Sequence, residues 1–139
     1  MSMLGILFDI EKLGEGFYGY AAFQIFFDAL DTRQLAGCAL YHGDTNATLH
    51  GGSNEYCIAI ASRDEKKIDL VRNAFWSYHA KGLLPLPIRF LEHDQVRQEP
   101  LIPVGFILPN GELFGETETA VWIAEVLKKS QKKHETDLK

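Results

Sequence analysis

Residues 17–30 (FYGYAAFQIFFDAL) are apolar around nearly the whole circumference of any helix they could form. Fourteen residues would be long for a strand. On a helix, Gln24, Asp28 and Asp31 recur at i, i+4 and i+7, a single thin polar stripe. Such a helix has to be covered on most sides. Either a sheet and further helices of the same chain wrap it, or part of it faces a second chain.

The rest of the chain offers that cover. Leu4, Ile6, Phe8 and Ile10 alternate with Gly5, Leu7 and Asp9, the period-two signature of a strand at about 3–10. Residues 35–42 and 55–61 read as strands with small residues on one face, and Ala47–His50 as a short strand between the turn clusters 43–46 and 51–54. Ser62 and Glu65 have the spacing of a capping box opening a second helix, with Ile68, Val71, Phe75 and Tyr78 as its core stripe and Gly82 as its stop. A strand at 87–93 follows, a β-α-β crossover if the two flanking strands run parallel. After the polar connection 94–103, Pro109-Asn110-Gly111 suits a three-residue hairpin loop that pairs Phe106 with Phe114 and Ile107 with Leu113. A last helix, capped by Gly115 or Thr117, is expected over 117–131.

This order, β-α-β-β-β-α-β-β-β-α, predicts a single-domain α+β sandwich over residues 1–133, with a mixed or mostly antiparallel sheet of six to seven strands, three helices and a frayed tail at 134–139. With 139 residues, 46% of them hydrophobic and 24% charged, the chain has the size and composition of one globular domain. No apolar run is long enough to span a bilayer and no signal peptide opens the chain, so no membrane partner is expected. Cys38 and Cys57 sit in apolar runs, as reduced thiols do in the cytoplasm.

Several motifs suggest chemistry and fail on detail. Gly14-Glu15-Gly16-Phe17-Tyr18-Gly19 matches a dinucleotide-binding fingerprint, but Glu11, Lys12 and Leu13 separate it from the strand, and Glu11 and Glu15 would repel a pyrophosphate. No cofactor is expected. His42, Asp44 and His50 cannot share one ion if 43–46 is a hairpin loop, because the two histidines then lie about 10 Å apart along the ladder. No metal is expected either. In Glu92-His93-Asp94 successive side chains point to opposite faces of a strand, which leaves His93 one neighbouring carboxylate at most. Cys38 and Cys57 have no base nearby in sequence. Trp76 lies off the core stripe of its helix beside Arg72 and His79, a pattern found at interface anchors, although burial in the core is the expected placement.

The formal net charge of −5 is concentrated in residues 1–62, which carry Lys12 and Arg33 against Asp9, Glu11, Glu15, Asp28, Asp31, Asp44 and Glu55. The only dense basic group is Lys128, Lys129, Lys132 and Lys133, suited to a helix C-terminus, so no nucleic-acid partner is expected. An acidic surface beside an aromatic helix suits a basic protein partner. The expected function is a non-catalytic, acidic protein-binding module, in its most concrete form an inhibitor or immunity-type protein for a basic enzyme. Glu11, Glu15, Asp28, Asp31 and Asp44 would supply charge and Tyr18 and Tyr20 anchors. The alternative is a small-molecule-binding protein or enzyme with a pocket between the sheet and the first helix, using Tyr18, Tyr41, His42, His79 and His93. A homodimer that hides the first helix is compatible with both.

Overall fold

The computed structural model describes residues 1–12, 18–43 and 55–137. In chain order the elements are β1 (Ser2–Asp9), α1 (Tyr18–Ala29), β2 (Ala39–Gly43), β3 (Glu55–Ser62), α2 (Glu65–Ala80), β4 (Ile88–Leu91), α3 (His93–Val96), β5 (Leu101–Ile107), β6 (Leu113–Phe114) and α4 (Glu118–Asp137), with short 3-10 turns at Ile10–Lys12 and Thr32–Leu35. The expected strand at Ala47–His50 lies outside the described residues.

One six-stranded sheet, ordered β4-β1-β3-β2-β5-β6, contains only antiparallel pairings. Because β1 is antiparallel to both β3 and β4, those two run parallel with β1 between them. By the same logic β1 and β2 run parallel around β3. The chain therefore makes two interleaved split β-α-β units, the connectivity of ferredoxin-like sandwiches, extended by the β5–β6 hairpin and α4. The crossover expected between 55–61 and 87–93 exists, but it skips a strand. Connectivity of this kind carries no activity by itself.

The alternation in β1 divides the two faces of the sheet. Leu4, Ile6 and Phe8 join Leu40, Ile58 and Ile60 on the face covered by α1, α2 and α4, and Phe23, Phe26 and Phe27 of α1 are fully buried there. Each such side chain contributes about 1.5–3 kcal/mol through burial. The cover that α1 requires comes from this chain: Phe23 packs edge-on against Trp122 of α4, and Phe26 packs at a tilt against Phe75 of α2. A second copy is not needed to hide it.

Leu7, Cys57, Ala59 and Leu91 point to the other face, where Val96 of α3 closes a smaller cluster. That approach depends on Gly5, since a Cβ there would stand 2.8 Å from Val96 Cγ2. The expected polar connection at 94–103 hid this short helix, and β5 opens inside that connection, at Leu101. Pro103 is tolerated there beyond the reach of two-residue β6, with the β2–β5 register shifting at Leu40/Tyr41.

The local signals fare unevenly. The hairpin forms with the expected pairs, Phe106 with Phe114 and Ile107 with Leu113, and Gly111 has φ +87°. α2 ends as expected: Gly82 (φ +71°) donates to the His79 carbonyl at 2.9 Å and Leu83 to the Tyr78 carbonyl at 3.1 Å, a Schellman stop. Its start differs. Asp64 caps the helix by accepting from the Lys66 amide at 3.0 Å, while Ser62 ends β3 and accepts from the Asp64 amide. Residues 32–35 form a 3-10 turn capped by Asp31, so β2 begins only at Ala39. Thr117 Oγ1 accepts from the Ala120 amide at the start of α4, which runs past the expected end at 131 to Asp137.

Candidate functional site

Gly82 stops α2, and the following LLPLP turns the chain back so that β4 runs as the outermost strand beside the end of that helix. Pro85 and Pro87 can continue neither a helix nor an interior strand, which confines the return to a short segment in which Leu86 is buried. Between helix and strand lies an open cleft of about 450 Å³. Its floor is Phe75, shared with the main core; Trp76, His79 and Leu84 form one side, and Ile88, Arg89 and Phe90 the other.

The aromatic geometry is well defined. Phe90 meets Phe75 edge-on at 6.4 Å and 81°, while Trp76 stands edge-on to His79 at 6.4 Å and 77°. Trp76 remains 58% exposed, which corrects the expectation that it is core. Its neighbours Ile68, Val71 and Phe75 use up the buried face of α2, and Trp76 follows Phe75 by one residue, a rotation of about 100°.

Charge around the cleft is organised by two ion pairs. Arg89 grips Glu55 of β3, with Nη2 2.7 Å from Oε1 and Nε 3.2 Å from Oε2, and the hydrogen bonds it donates to that carboxylate push the guanidinium pKa up. Arg72 lies 2.7 Å from both Asp69 and Glu92, tying α2 to the end of β4, and Glu92 likewise pushes it up. His79 is the polar side chain that faces the cleft, and no carboxylate is among its lining residues; Arg89 pairs across from Leu7, so its guanidinium turns to Glu55 on the opposite face of the sheet. On its outer side β4 has no neighbouring strand among the described residues, and its pairing is with β1.

The residues expected to hold a basic partner are largely engaged within the chain. Asp31 receives Arg33 at 2.9 Å from both Nε and Nη2, which holds its carboxyl below the usual value against a smaller opposing effect of burial. Asp28 accepts from Ser130 Oγ at 2.8 Å and lies 3.6 Å from Lys133 Nζ. Tyr20 accepts from Lys129 Nζ, which also stands 5.7 Å from its ring centroid. Glu11 is exposed on the 3-10 turn after β1, its amide bonded to Asp9. Glu15, Asp44 and the Tyr18 side chain lie outside the described residues, as does most of the glycine motif; Gly19 is buried in α1.

The alternative pocket residues do not converge. Phe23, Phe26 and Phe27 fill the space between α1 and the sheet. His42 Nδ1 lies 3.1 Å from the Tyr56 hydroxyl on the helix-covered face, whereas Tyr41 packs on the opposite face. His79 belongs to α2. His93 opens α3, and its Nδ1 accepts from the Met3 amide at 3.2 Å, which places the proton of the neutral ring on Nε2. The chain bends into α3 there, so Glu92 turns to Arg72 and Asp94 lies exposed in the first turn. Burial pushes the Cys57 thiol up to about 12 and raises Cys38 as well, the reverse of what a nucleophile needs. Among the described residues no group of three or more His, Cys, Asp or Glu could hold a metal ion, and no helix is long and apolar enough to cross a membrane.

Comparison with family models, curated proteins and solved structures gave no match to this chain.

Proposed function

We propose that the chain is a non-catalytic protein-binding module whose partner docks in the cleft between α2 and β4. The observation that carries this reading is Trp76, more than half exposed over an aromatic cleft at the edge of a sheet. An indole in that position offers a partner a large, rigid contact area at little entropic cost, and Trp and Arg are over-represented among the residues that dominate binding energy. The polar groups of the cleft argue for binding over chemistry. The Arg89 guanidinium turns away to Glu55 on the opposite face of the sheet and stays protonated throughout the physiological range, which leaves His79 without a second group to exchange protons with.

The same reading on the acidic N-terminal part, including its inhibitor or immunity-type form, would require a basic partner to displace Arg33 from Asp31 and Lys133 from Asp28. Exchanging one ion pair for another gives little net gain, and the cleft demands no such exchange. Two buried, reduced cysteines fit a reducing compartment such as the cytoplasm.

Photo-crosslinking in cells tests the placement. A benzophenone amino acid in place of His79 should give one discrete adduct with a second protein, lost when Trp76→Ala is combined with it. The same probe in place of Asp31 should give none. Adducts from position 31 with none from position 79 would move the docking surface off the cleft.

A further inference from the structure

We infer that Asn110 is a latent site of spontaneous covalent modification: its carboxamide closes onto the Gly111 amide nitrogen, and hydrolyses to aspartate or isoaspartate, only when the β5–β6 hairpin opens. The site is separate from the α2/β4 cleft and needs no partner there.

The chemistry belongs to the Asn-Gly pair. The Gly111 nitrogen attacks Cγ of Asn110 and forms a carbon–nitrogen bond; its proton passes to the side-chain amide, which departs as ammonia and leaves a five-membered succinimide. Water then adds at one of the two ring carbonyls. Opening on one side gives aspartate, and on the other isoaspartate, with the main chain rerouted through the side chain. Glycine favours ring closure because no Cβ shields its nitrogen and its backbone reaches conformations closed to other residues. The co-reactant is water, to which Asn110 is exposed at the tip of the hairpin.

The closed hairpin holds both reacting groups. The Gly111 amide donates to the Leu108 carbonyl at 2.8 Å, so the nucleophile is committed to the turn. Asn110 Oδ1 accepts from the Glu112 amide at 3.0 Å, which ties down the carboxamide. Gly111 itself is buried, and its carbonyl accepts from Thr32 Oγ1 at 2.8 Å. Its backbone is pressed so closely against the neighbouring turn and α4 that a Cβ there would stand 2.8 Å from both Arg33 Cγ and Gln131 Nε2. Turning the Asn110–Gly111 peptide toward the side chain breaks the bond to Leu108 and drives the glycine into those neighbours.

Once made, the change resists reversal. Asn110 lines a cavity of about 130 Å³ together with Asp31 and Glu112, so aspartate at position 110 brings a third carboxylate to it. Isoaspartate lengthens the main chain by one carbon inside a loop closed by 2.8 Å bonds from Gly111 to Leu108 and from Leu108 to Glu112. Either product seats the hairpin less firmly, which makes the site a one-way record of opening.

The test incubates the full chain in mildly alkaline buffer and follows position 110 by peptide mapping and mass spectrometry, with isoaspartate counted by enzymatic methylation. The native chain should convert at least about tenfold more slowly than the chain in urea, since slow chemistry tracks the open population. Thr32→Val removes the hydroxyl that seats Gly111 and should speed native conversion about tenfold, the scale of one buried hydrogen bond. Thr32→Ser keeps that hydroxyl and should behave as wild type. Gly5→Ala, in β1 and away from the hairpin, should change the rate by no more than about twofold. In wild type, the Gly111 amide should exchange with deuterium faster than those of β1 and β3. Native conversion as fast as in urea would overturn protection by the closed hairpin, and a native rate indifferent to Thr32→Val would overturn its dependence on that seat. Acceleration by Gly5→Ala in step with lost stability, or Gly111 exchange as slow as in β1, would overturn local opening and assign the event to global unfolding.

Discussion

Phe90 meets Trp76 edge-on across the α2/β4 cleft, their ring centroids 6.0 Å apart and their planes inclined at 62°. The contact holds in place an indole that remains more than half exposed. Trp122, the second tryptophan, instead packs edge-on against fully buried Phe23 at 5.8 Å and 80°.

That difference gives two tryptophans of opposite character. Trp76→Ala should cost about 1 kcal/mol or less, the scale of one exposed aromatic pair. Trp122→Ala opens a hole between α1 and α4 and should cost about 3 kcal/mol. Urea denaturation of both variants measures this. In the Trp122→Phe variant, which keeps only Trp76, acrylamide should quench native fluorescence nearly as well as it does in the unfolded chain. A well-shielded signal would contradict an exposed Trp76.

α3 reaches the sheet because position 5 has no side chain. Gly5→Ala should destabilise the chain by about 1–3 kcal/mol, since the new methyl meets Val96 Cγ2 at 2.8 Å and Leu91 Cβ at 3.2 Å. Trimming the obstacle should return part of that loss: Val96→Ala costs stability alone, but combined with Gly5→Ala the two effects should fall short of their sum by about 1 kcal/mol. Strict additivity would mean that the methyl finds space elsewhere.

What could be read from the residues alone follows from how far apart the cooperating groups lie. The turn at Pro109–Gly111 and the stop at Gly82 are written within four or five neighbouring residues, where backbone sterics decide the outcome. The start of α2 fails at the same range, because Asp64 competes with Ser62 for one job and its carboxylate takes the cap. α3 was hidden because four residues carry no period, and only Val96, an apolar residue within a polar run, hints at it. Which carboxylates are engaged within the chain is illegible for a different reason. Asp28 meets Ser130 and Lys133, about a hundred positions later, and only the packing of α4 on α1 joins them. The cleft has one local trace, Trp76 standing off the Ile68/Val71/Phe75 stripe; its other wall comes from a strand whose place in the sheet no local pattern specifies.

Asp31 makes stability depend on pH in a definite direction. The hydrogen bonds from Arg33 lower its folded-state pKa below the ordinary 3.8, so the folded state favours the ionised form more than the unfolded chain does. The resulting stability is fully present above the unfolded value and is lost as pH falls through the folded one. Asp31→Asn keeps a residue able to cap the 3-10 turn and removes only the charge. With the carboxylate about a third exposed, the variant should be less stable near neutrality by about 0.5 kcal/mol after solvent screening, and the difference should vanish in strong acid. Thermal denaturation across the acid range reads this directly. A gap that widened as pH fell would have the wrong sign.

The cysteines should report on opening of the sheet. Attack on a thiol reagent requires a thiolate, and desolvation holds Cys57 at about 12 in β3, flanked by β1 and β2, with Cys38 raised and buried as well. In mildly alkaline solution the native protein should therefore show no immediate reaction with a coloured aromatic disulfide, whereas both thiols should react at once in guanidinium chloride. Because Cys57 lies on an interior strand, the opening that exposes it has to separate strands, and its native-state labelling should slow in parallel with added stability. Labelling that ignores a destabilising change such as Gly5→Ala would place the reactive opening outside the sheet.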